Sequence, residues 1–140
     1  MLANTSITQI MTKNVVSLEQ KSSLFEAEDL FKKHNIRHLP VQFYGKLVGI
    51  LSLTDLQRVS FASLAGDAES NTDNVLFDMF NVENIMAHQP VSLQVNQSVK
   101  DAAEVLAKKE FHALPVLDGT DLVGIVTTTD LVKFMLEQMK

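Results

Sequence analysis

The sequence predicts an α/β (α+β) fold made of two copies of one strand–helix–strand–strand–helix unit, with the sheets of the copies packed together. Three observations predict it. The chain repeats itself at a single spacing. Each repeat holds short β-branched runs bounded by turn residues. One amphipathic helical stretch interrupts those runs in each copy.

Ile10-Met11 returns as Ile85-Met86, and Leu39-Pro40-Val41 returns as Leu114-Pro115-Val116. Leu47-Val48-Gly49-Ile50 returns as Leu122-Val123-Gly124-Ile125, and Thr54-Asp55-Leu56 as Thr129-Asp130-Leu131. Every pair stands at the same offset, the one that carries Ile10 to Ile85, and 18 of the 47 positions from 10 to 56 match their counterparts. Chance would give roughly three or four, so duplication is the better account. A solenoid needs three or more repeats, so two copies are expected to pack face to face.

Each copy opens on a short apolar run, Val15-Val16-Ser17-Leu18 or Val91-Ser92-Leu93 after Pro90, whose β-branched content predicts a strand. A helix follows. Ser23-Leu24-Phe25-Glu26 predicts a capping box, and Ser98-Val99-Lys100-Asp101 a weaker one. Leu24, Ala27, Leu30 and Phe31 share one helical face, as do Val99, Ala102, Ala103 and Leu106. The helices are expected to stop near His34-Asn35 and near Glu110, ahead of Pro40 and Pro115. Lys32-Lys33 and Lys108-Lys109 fall late in them, where cations favour the helix dipole. Two strands come next, Leu39 to Phe43 with Lys46 to Ser52, and Leu114 to Leu117 with Leu122 to Thr127. Tyr44-Gly45 and Asp118-Gly119 are the expected hairpin turns. The last helix of each copy is expected to start at Thr54-Asp55 or Thr129-Asp130.

The copies are expected to span residues 7–60 and 82–140, with a linker at 61–81. In that linker the polar run from Gly66 to Asn74 predicts an exposed loop, and Val75, Leu76, Met79 and Phe80 predict a short helix leading into copy two.

Composition narrows the function. Apolar residues make up 46% and charged residues 21% of 140, as in a globular protein rather than a disordered one. A net charge of −5 argues against duplex nucleic acid and against an anionic membrane surface. No cysteine is present, so disulfides, cysteine-ligated zinc and thiol catalysis are excluded. The first residues carry no basic region or long apolar run of a secretory signal, and no stretch approaches the roughly 18 apolar residues of a membrane helix. A soluble, cytoplasmic protein is expected. His34, His38, His88 and His112 do not recur at the repeat spacing and have no zinc-motif spacing, which points away from a metal site. No nucleophile elbow, Walker loop or dinucleotide fingerprint is present, so an enzyme is not expected.

The ordered motifs resemble the cystathionine-β-synthase (CBS) domain. The matching residues are Ile10-Met11-Thr12 before a valine strand, Leu39-Pro40-Val41 and Gly49 through Leu56, then Ile85-Met86, Leu114-Pro115-Val116 and Gly124 through Leu131. The resemblance implies a pseudo-twofold pair of CBS repeats, known as a Bateman module, and a disc-shaped homodimer that regulates a partner protein. It implies no required cofactor and a regulatory adenine nucleotide (AMP, ADP, ATP or a related adenosyl ligand) in clefts between the repeats. It also implies the contacts. Asn14 and Val16, with Gln89 and Val91, lie where the first strand touches the base. Arg37-His38 and His112-Ala113, beside Pro40 and Pro115, lie where residues reach adenine or phosphate. Ser52, Thr54, Thr127 and Thr129 look like phosphate ligands, and Asp55 and Asp130 like ribose ligands.

The residues from Gly49 to Asp55 support that chemistry independently. A strand ends and a helix begins, and the unpaired first N–H groups of a helix favour an anion. Gly49 would let a ligand or backbone approach closely, and Asp55 offers two acceptors to a ribose diol. Gly124, Thr127, Thr129 and Asp130 repeat the pattern. Thr54 and Asp55 are also ordinary helix-start residues, so capping alone remains open. Arg37-His38 against His112-Ala113 predicts unequal sites. Met11 and Met86 read as core filling. The apolar segment from Leu131 to Leu136 predicts self-association. The expected function is a regulatory adenylate-binding module. The alternative is an interaction or dimerisation module with vestigial, ligand-free clefts. In that reading Leu56, Val59, Phe61, Leu131, Phe134, Met135 and Met139 would serve mainly in contacts.

Overall fold

The computed structural model describes residues 4–66, 77–109 and 112–140, with residues 61–66 described by backbone alone. Two compact units form, one of Val16–Gln89 and one of Met1–Val15 with Pro90–Lys140.

The first unit runs β1 (Leu18–Glu19), α1 (Leu24–His34), β2 (His38–Phe43), β3 (Lys46–Ser52), α2 (Leu53–Gly66), α3 (Val82–Ile85) and β4 (Ala87–His88). Its sheet has the order β1-β2-β3-β4. β1 lies parallel to β2, and the other pairs are antiparallel. The second unit opens on a 3-10 turn (Ile7–Gln9). It continues through β5 (Leu93–Gln94), α4 (Val99–Lys108), β6 (Ala113–Asp118), β7 (Asp121–Thr127) and α5 (Thr128–Gln138), with sheet order β5-β6-β7.

The expected opening strands are shorter than the valine runs and begin three residues later in copy one. Leu18 pairs with Val41, so the next position back, Ser17, would face Pro40. Proline has no N–H for the ladder, and pairing stops there. Leu93 pairs with Val116 and Ser92 would face Pro115, with the same result.

Helix caps reverse the expected ranking. Ser98 and Asp101 close a full reciprocal box, with bonds of 3.2 and 2.9 Å. At Ser23 the cap is the hydroxyl accepting from the Glu26 N–H at 3.0 Å. The shorter aspartate reaches back to the serine amide, whereas Glu26 stays exposed. α1 ends on Asn35 in the left-handed region, φ 52°, a usual C-terminal stop. The expected end near Glu110 lies outside the described residues, and α4 closes at Lys108. The copy-one hairpin turns on Tyr44 and Gly45, both with positive φ, as expected. In copy two Asp118 is the last strand residue instead, and the turn is Gly119-Thr120 with Gly119 at φ 65°. Most of the expected Gly66–Asn74 loop lies outside the described residues, as do Val75 and Leu76. Residues 77–79 are helical, and Phe77 is the side chain that enters the core, against the edge of Phe25, while Met79 is exposed.

The Ile-Met motifs exchange. Ile10-Met11 comes from copy one but belongs to the unit of copy two, and Ile85-Met86 belongs to the unit of copy one. Thr12 bridges Ile125, and Ala87 pairs with Ile50, the same contact made once in each unit. The Ile7 N–H donates to the Gln97 carbonyl, and the Val82 N–H to the Ser22 carbonyl, again the same bond. Gly49 and Gly124 face these methionines. A Cβ on Gly49 would lie 2.3 Å from the Met86 sulfur, and one on Gly124 2.5 Å from that of Met11. The close approach expected at Gly49 is therefore made by the protein's own methionine and the Ala87 carbonyl, not by space held for a ligand. Met11 and Met86 do fill the interior, with Met86 in the core of its unit.

Candidate functional site: two strand-to-helix junctions

Each unit presents one junction at which a strand ends and a helix begins. In copy one, Ser52 closes β3 and α2 starts at Leu53. In copy two, Thr127 closes β7 and α5 starts at Thr128. Both helices thus start one residue earlier than expected. The caps are Ser52 and Thr127, and Asp55 and Asp130 stand at the third helical position.

Both aspartates close capping boxes. The Asp55 N–H donates to Ser52 Oγ at 3.0 Å, and the Ser52 N–H to Asp55 Oδ2 at 3.3 Å. The Asp130 N–H donates to Thr127 Oγ1 at 3.1 Å, and the Thr127 N–H to Asp130 Oδ2 at 2.9 Å. The preceding strand supplies a further bond. The Leu53 N–H donates to the Arg37 carbonyl at 2.8 Å, and the Thr128 N–H to the His112 carbonyl at 3.0 Å. Of the first three helix amides, the first and third are therefore already bonded. The second, on exposed Thr54 and Thr129, is the one left to an incoming anion. A wide cradle of unpaired N–H groups does not exist at either junction. Each carboxylate has committed one oxygen, Oδ2, and keeps Oδ1 for other partners.

At Asp55 that second oxygen has a neighbour. Arg58 Nη1 lies 3.5 Å from Asp55 Oδ1, an i,i+3 pair of side chains 76% and 28% exposed. Such a pair is weak and displaceable. The spacing of Asp55 and Arg58 in a helix was a readable signal for it. The residue three after Asp130 is Lys133.

The strand geometry brings several expected residues to each junction. His38 pairs with Ser52 across β2–β3, and Ala113 pairs with Thr127 across β6–β7. Arg37 and His112 are exposed and sit directly before those positions. Val16 and Gln89 belong to the unit of Ser52 and Asp55, whereas Asn14 and Val91 belong to the unit of Thr127 and Asp130. Asn14 and Gln89 are exposed left-handed residues, φ 54° and 50°, at equivalent turns. Val16 packs against the core of its unit, and Val91 is exposed. Pro40, Pro115 and Ala113 do not offer side-chain surface. The prolines are fully buried and Ala113 nearly so, because β2 and β6 are the middle strands of their sheets. These three position their neighbours instead of presenting a contact.

Comparison with known proteins decides the family. A family model of the CBS domain matches residues 7–61 and again 82–137. The chain belongs to the CBS domain family. It is 30% identical over 126 residues to the CBS domain-containing protein YhcV of Bacillus subtilis, covering 90% of this chain and 82% of that one. It is 30% identical over 128 residues to a homoserine O-acetyltransferase of Methanocorpusculum labreanum, covering 90% of this chain but only 23% of the relative. It likewise spans 34% of the uncharacterized protein MJ1404 of Methanocaldococcus jannaschii, at 29% identity and with 99% of this chain covered. Among solved structures, CBSX2 in complex with AMP superposes with a TM-score of 0.79 at 25% identity, covering 97% of this chain and 99% of that one. The CBS domain pair of protein MJ0100, in complex with 5′-methylthioadenosine and S-adenosyl-L-methionine, does so with a TM-score of 0.79 at 26% identity, covering 96% and 98%. The mixed α/β fold of two CBS repeats is thereby shown. Among the described residues, no helix is long and apolar enough to cross a membrane.

Proposed function

We propose that this CBS pair is a regulatory, non-catalytic module that binds an adenosyl ligand at its two strand-to-helix junctions and passes the ligand state to a separate protein. The observation that carries the reading is the duplicated junction. Each copy places an aspartate whose second carboxylate oxygen lies outside the capping box, an exposed threonine amide and a cationic or imidazole side chain at the same strand end. A carboxylate acceptor suits a ribose diol, and an open helix amide suits a phosphate or carboxylate. The AMP of CBSX2 and the methylthioadenosine and S-adenosylmethionine of MJ0100 support the adenosyl class. Arg37 at one junction and His112 at the other make the sites unequal in charge. Self-association into a homodimer in the cytoplasm belongs to the same reading.

One observation favours the alternative of an interaction module without ligand. Both aspartates have a complete structural role as cap partners. Of the residues that reading assigns to contacts, Leu56 and Leu131 are core, and Val59 packs against the core. Met135 and Met139 are exposed, and the side chain of Phe61 lies outside the described residues.

Isothermal calorimetry with AMP, ADP, ATP and S-adenosylmethionine separates the two. Saturable heat with at least one ligand, and a raised melting temperature, is expected. Silence from all four, with no thermal shift, would leave the interaction module standing.

A further inference from the structure

The two junctions share their aspartate and their cap but not the charges around them. In copy one, the Asp55 oxygen left outside the capping box, Oδ1, has Arg58 Nη1 at 3.5 Å. In copy two the equivalent position is Lys133, and among the described residues Asp130 has no ion-pair partner. The chemistry of the two cations accounts for the difference. A guanidinium spreads its donors over a planar fork and is weakly hydrated, whereas an ammonium is a compact, strongly hydrated point charge. The turn before each middle hairpin adds to the asymmetry. Exposed Arg37 precedes the strand partner of Ser52, and exposed His112 precedes that of Thr127. Copy one thus gathers two guanidiniums at a junction with one carboxylate. Copy two has a carboxylate without a counter-ion and an imidazole.

We infer that Arg58 sets the ligand charge the copy-one junction accepts: that junction takes an adenosyl group bearing a 5′-phosphate, and the copy-two junction takes one whose 5′ substituent is neutral or cationic. The inference rests on the adenosyl reading above and deepens it to a ligand class for each junction. The two ends of such a ligand meet adjacent residues. The ribose diol donates to the aspartate, and the 5′ substituent lies toward the open amide of the threonine before it. A phosphate held there brings its charge next to the aspartate charge, and like charges at that range repel. At Asp55 the Arg58 guanidinium offsets the repulsion from one turn further along the same helix. A carboxylate oxygen has two lone pairs, so Oδ1 accepts from Arg58 and from a ribose hydroxyl together. Among the described residues nothing equivalent offsets Asp130. There a sulfonium, as in S-adenosylmethionine, gains from the aspartate charge what a phosphate loses. Arg58 is 76% exposed, so solvent screening keeps the discrimination moderate.

Ligands that share adenosine but differ in charge isolate the role of Arg58: AMP, 5′-methylthioadenosine and S-adenosylmethionine. Each is titrated at low ionic strength into the isotope-labelled full chain, and the Thr54 and Thr129 amide resonances report each junction by itself. AMP is expected to bind more tightly than S-adenosylmethionine at Thr54, and the order to reverse at Thr129. Arg58→Gln is expected to weaken AMP at Thr54 about three- to tenfold and to leave 5′-methylthioadenosine there within about twofold. Binding at Thr129 should not change in that variant, and melting should hardly move, because an exposed ion pair contributes little to stability. Lys133→Arg, which gives copy two the same fork, is expected to tighten AMP at Thr129 about threefold or more. An AMP affinity at Thr54 that survives Arg58→Gln overturns the inference and leaves adenosyl binding standing. So do equal losses of AMP and 5′-methylthioadenosine, which would make the ion pair a contact that only shapes the helix start. AMP binding more tightly than S-adenosylmethionine at Thr129 overturns the copy-two assignment. Silence of both amides toward all three ligands in the unmodified chain overturns the adenosyl reading and this inference with it.

Discussion

Replacing Gly49 and Gly124 by alanine tests the exchanged Ile-Met segments. At Gly49 the new Cβ lies 2.3 Å from the Met86 sulfur and 2.9 Å from the Ala87 carbonyl oxygen. At Gly124 it lies 2.5 Å from the Met11 sulfur, 2.9 Å from its Cγ and 3.2 Å from the Thr12 carbonyl oxygen. A methionine can swing aside, but a strand carbonyl moves only with its backbone. Gly49→Ala must shift both, and Met86 is itself buried. Overpacking of this kind costs about 1–3 kcal/mol. The smaller unfolded-state entropy of alanine offsets about 0.4–1 kcal/mol. Gly49→Ala is therefore expected to lose about 1–2 kcal/mol, and Gly124→Ala about half as much. Met11→Ala should relieve most of the Gly124→Ala loss, and Met86→Ala only part of the Gly49→Ala loss, because the Ala87 carbonyl remains. Urea unfolding of the two double-mutant cycles gives the coupling, expected at about 0.5–2 kcal/mol. A neutral Gly49→Ala, or single costs that simply add, would refute the exchange. Strong coupling between Gly49 and Met11 in its place would show that the motifs stay with their own copies.

Two further perturbations address the junctions and the electrostatics. Asp55→Asn and Asp130→Asn keep an oxygen for the capping box but lose the charge, so melting should change little. Adenosyl affinity should fall by roughly tenfold or more at the altered junction, since hydrogen bonds to charged groups contribute about 1.5–3 kcal/mol each. Lower melting with unchanged affinity would make both residues caps only. Glu83 is held below the usual carboxylate range, first by its hydrogen bond from Lys21. A depressed carboxylate stabilises the fold above its unfolded pKa, and that contribution is lost as the pH falls through the folded value. Lys21→Met should return the Glu83 titration, followed by NMR, upward toward the ordinary range, and an unmoved titration would place the cause elsewhere.

Much of the fold was legible from residues 10–56 and 85–131 alone. Periodicity, turn chemistry and caps are local interactions, and they placed both middle hairpins and the starts of both pairs of helices to within a residue or two, while α2 runs on to Gly66, past the residue 60 at which copy one was expected to end. The strand-to-helix junctions at Ser52–Asp55 and Thr127–Asp130 were legible for the same reason. Local rules also misjudged some features for reasons that can be named. Valine content promised longer opening strands, but the ladder stops where Pro40 and Pro115 have no N–H to give. A role in capping was open for Asp55 and Asp130 from the start, but the cap was expected one residue late, and the side chains in fact fold back on Ser52 and Thr127. Phe77 escaped notice because every position from Val75 to Phe80 except Asp78 is apolar, so the pattern does not single out the side that faces the core.

The duplication itself, the element types and the residues gathered at each junction follow from patterns within a few turns of chain. Which copy receives each Ile-Met segment does not. Nothing local distinguishes Gly49 from Gly124 as the seat of Met11, because the repeat maps one glycine onto the other. Only long-range packing breaks that tie, by setting Thr12 beside Ile125 and Ala87 beside Ile50.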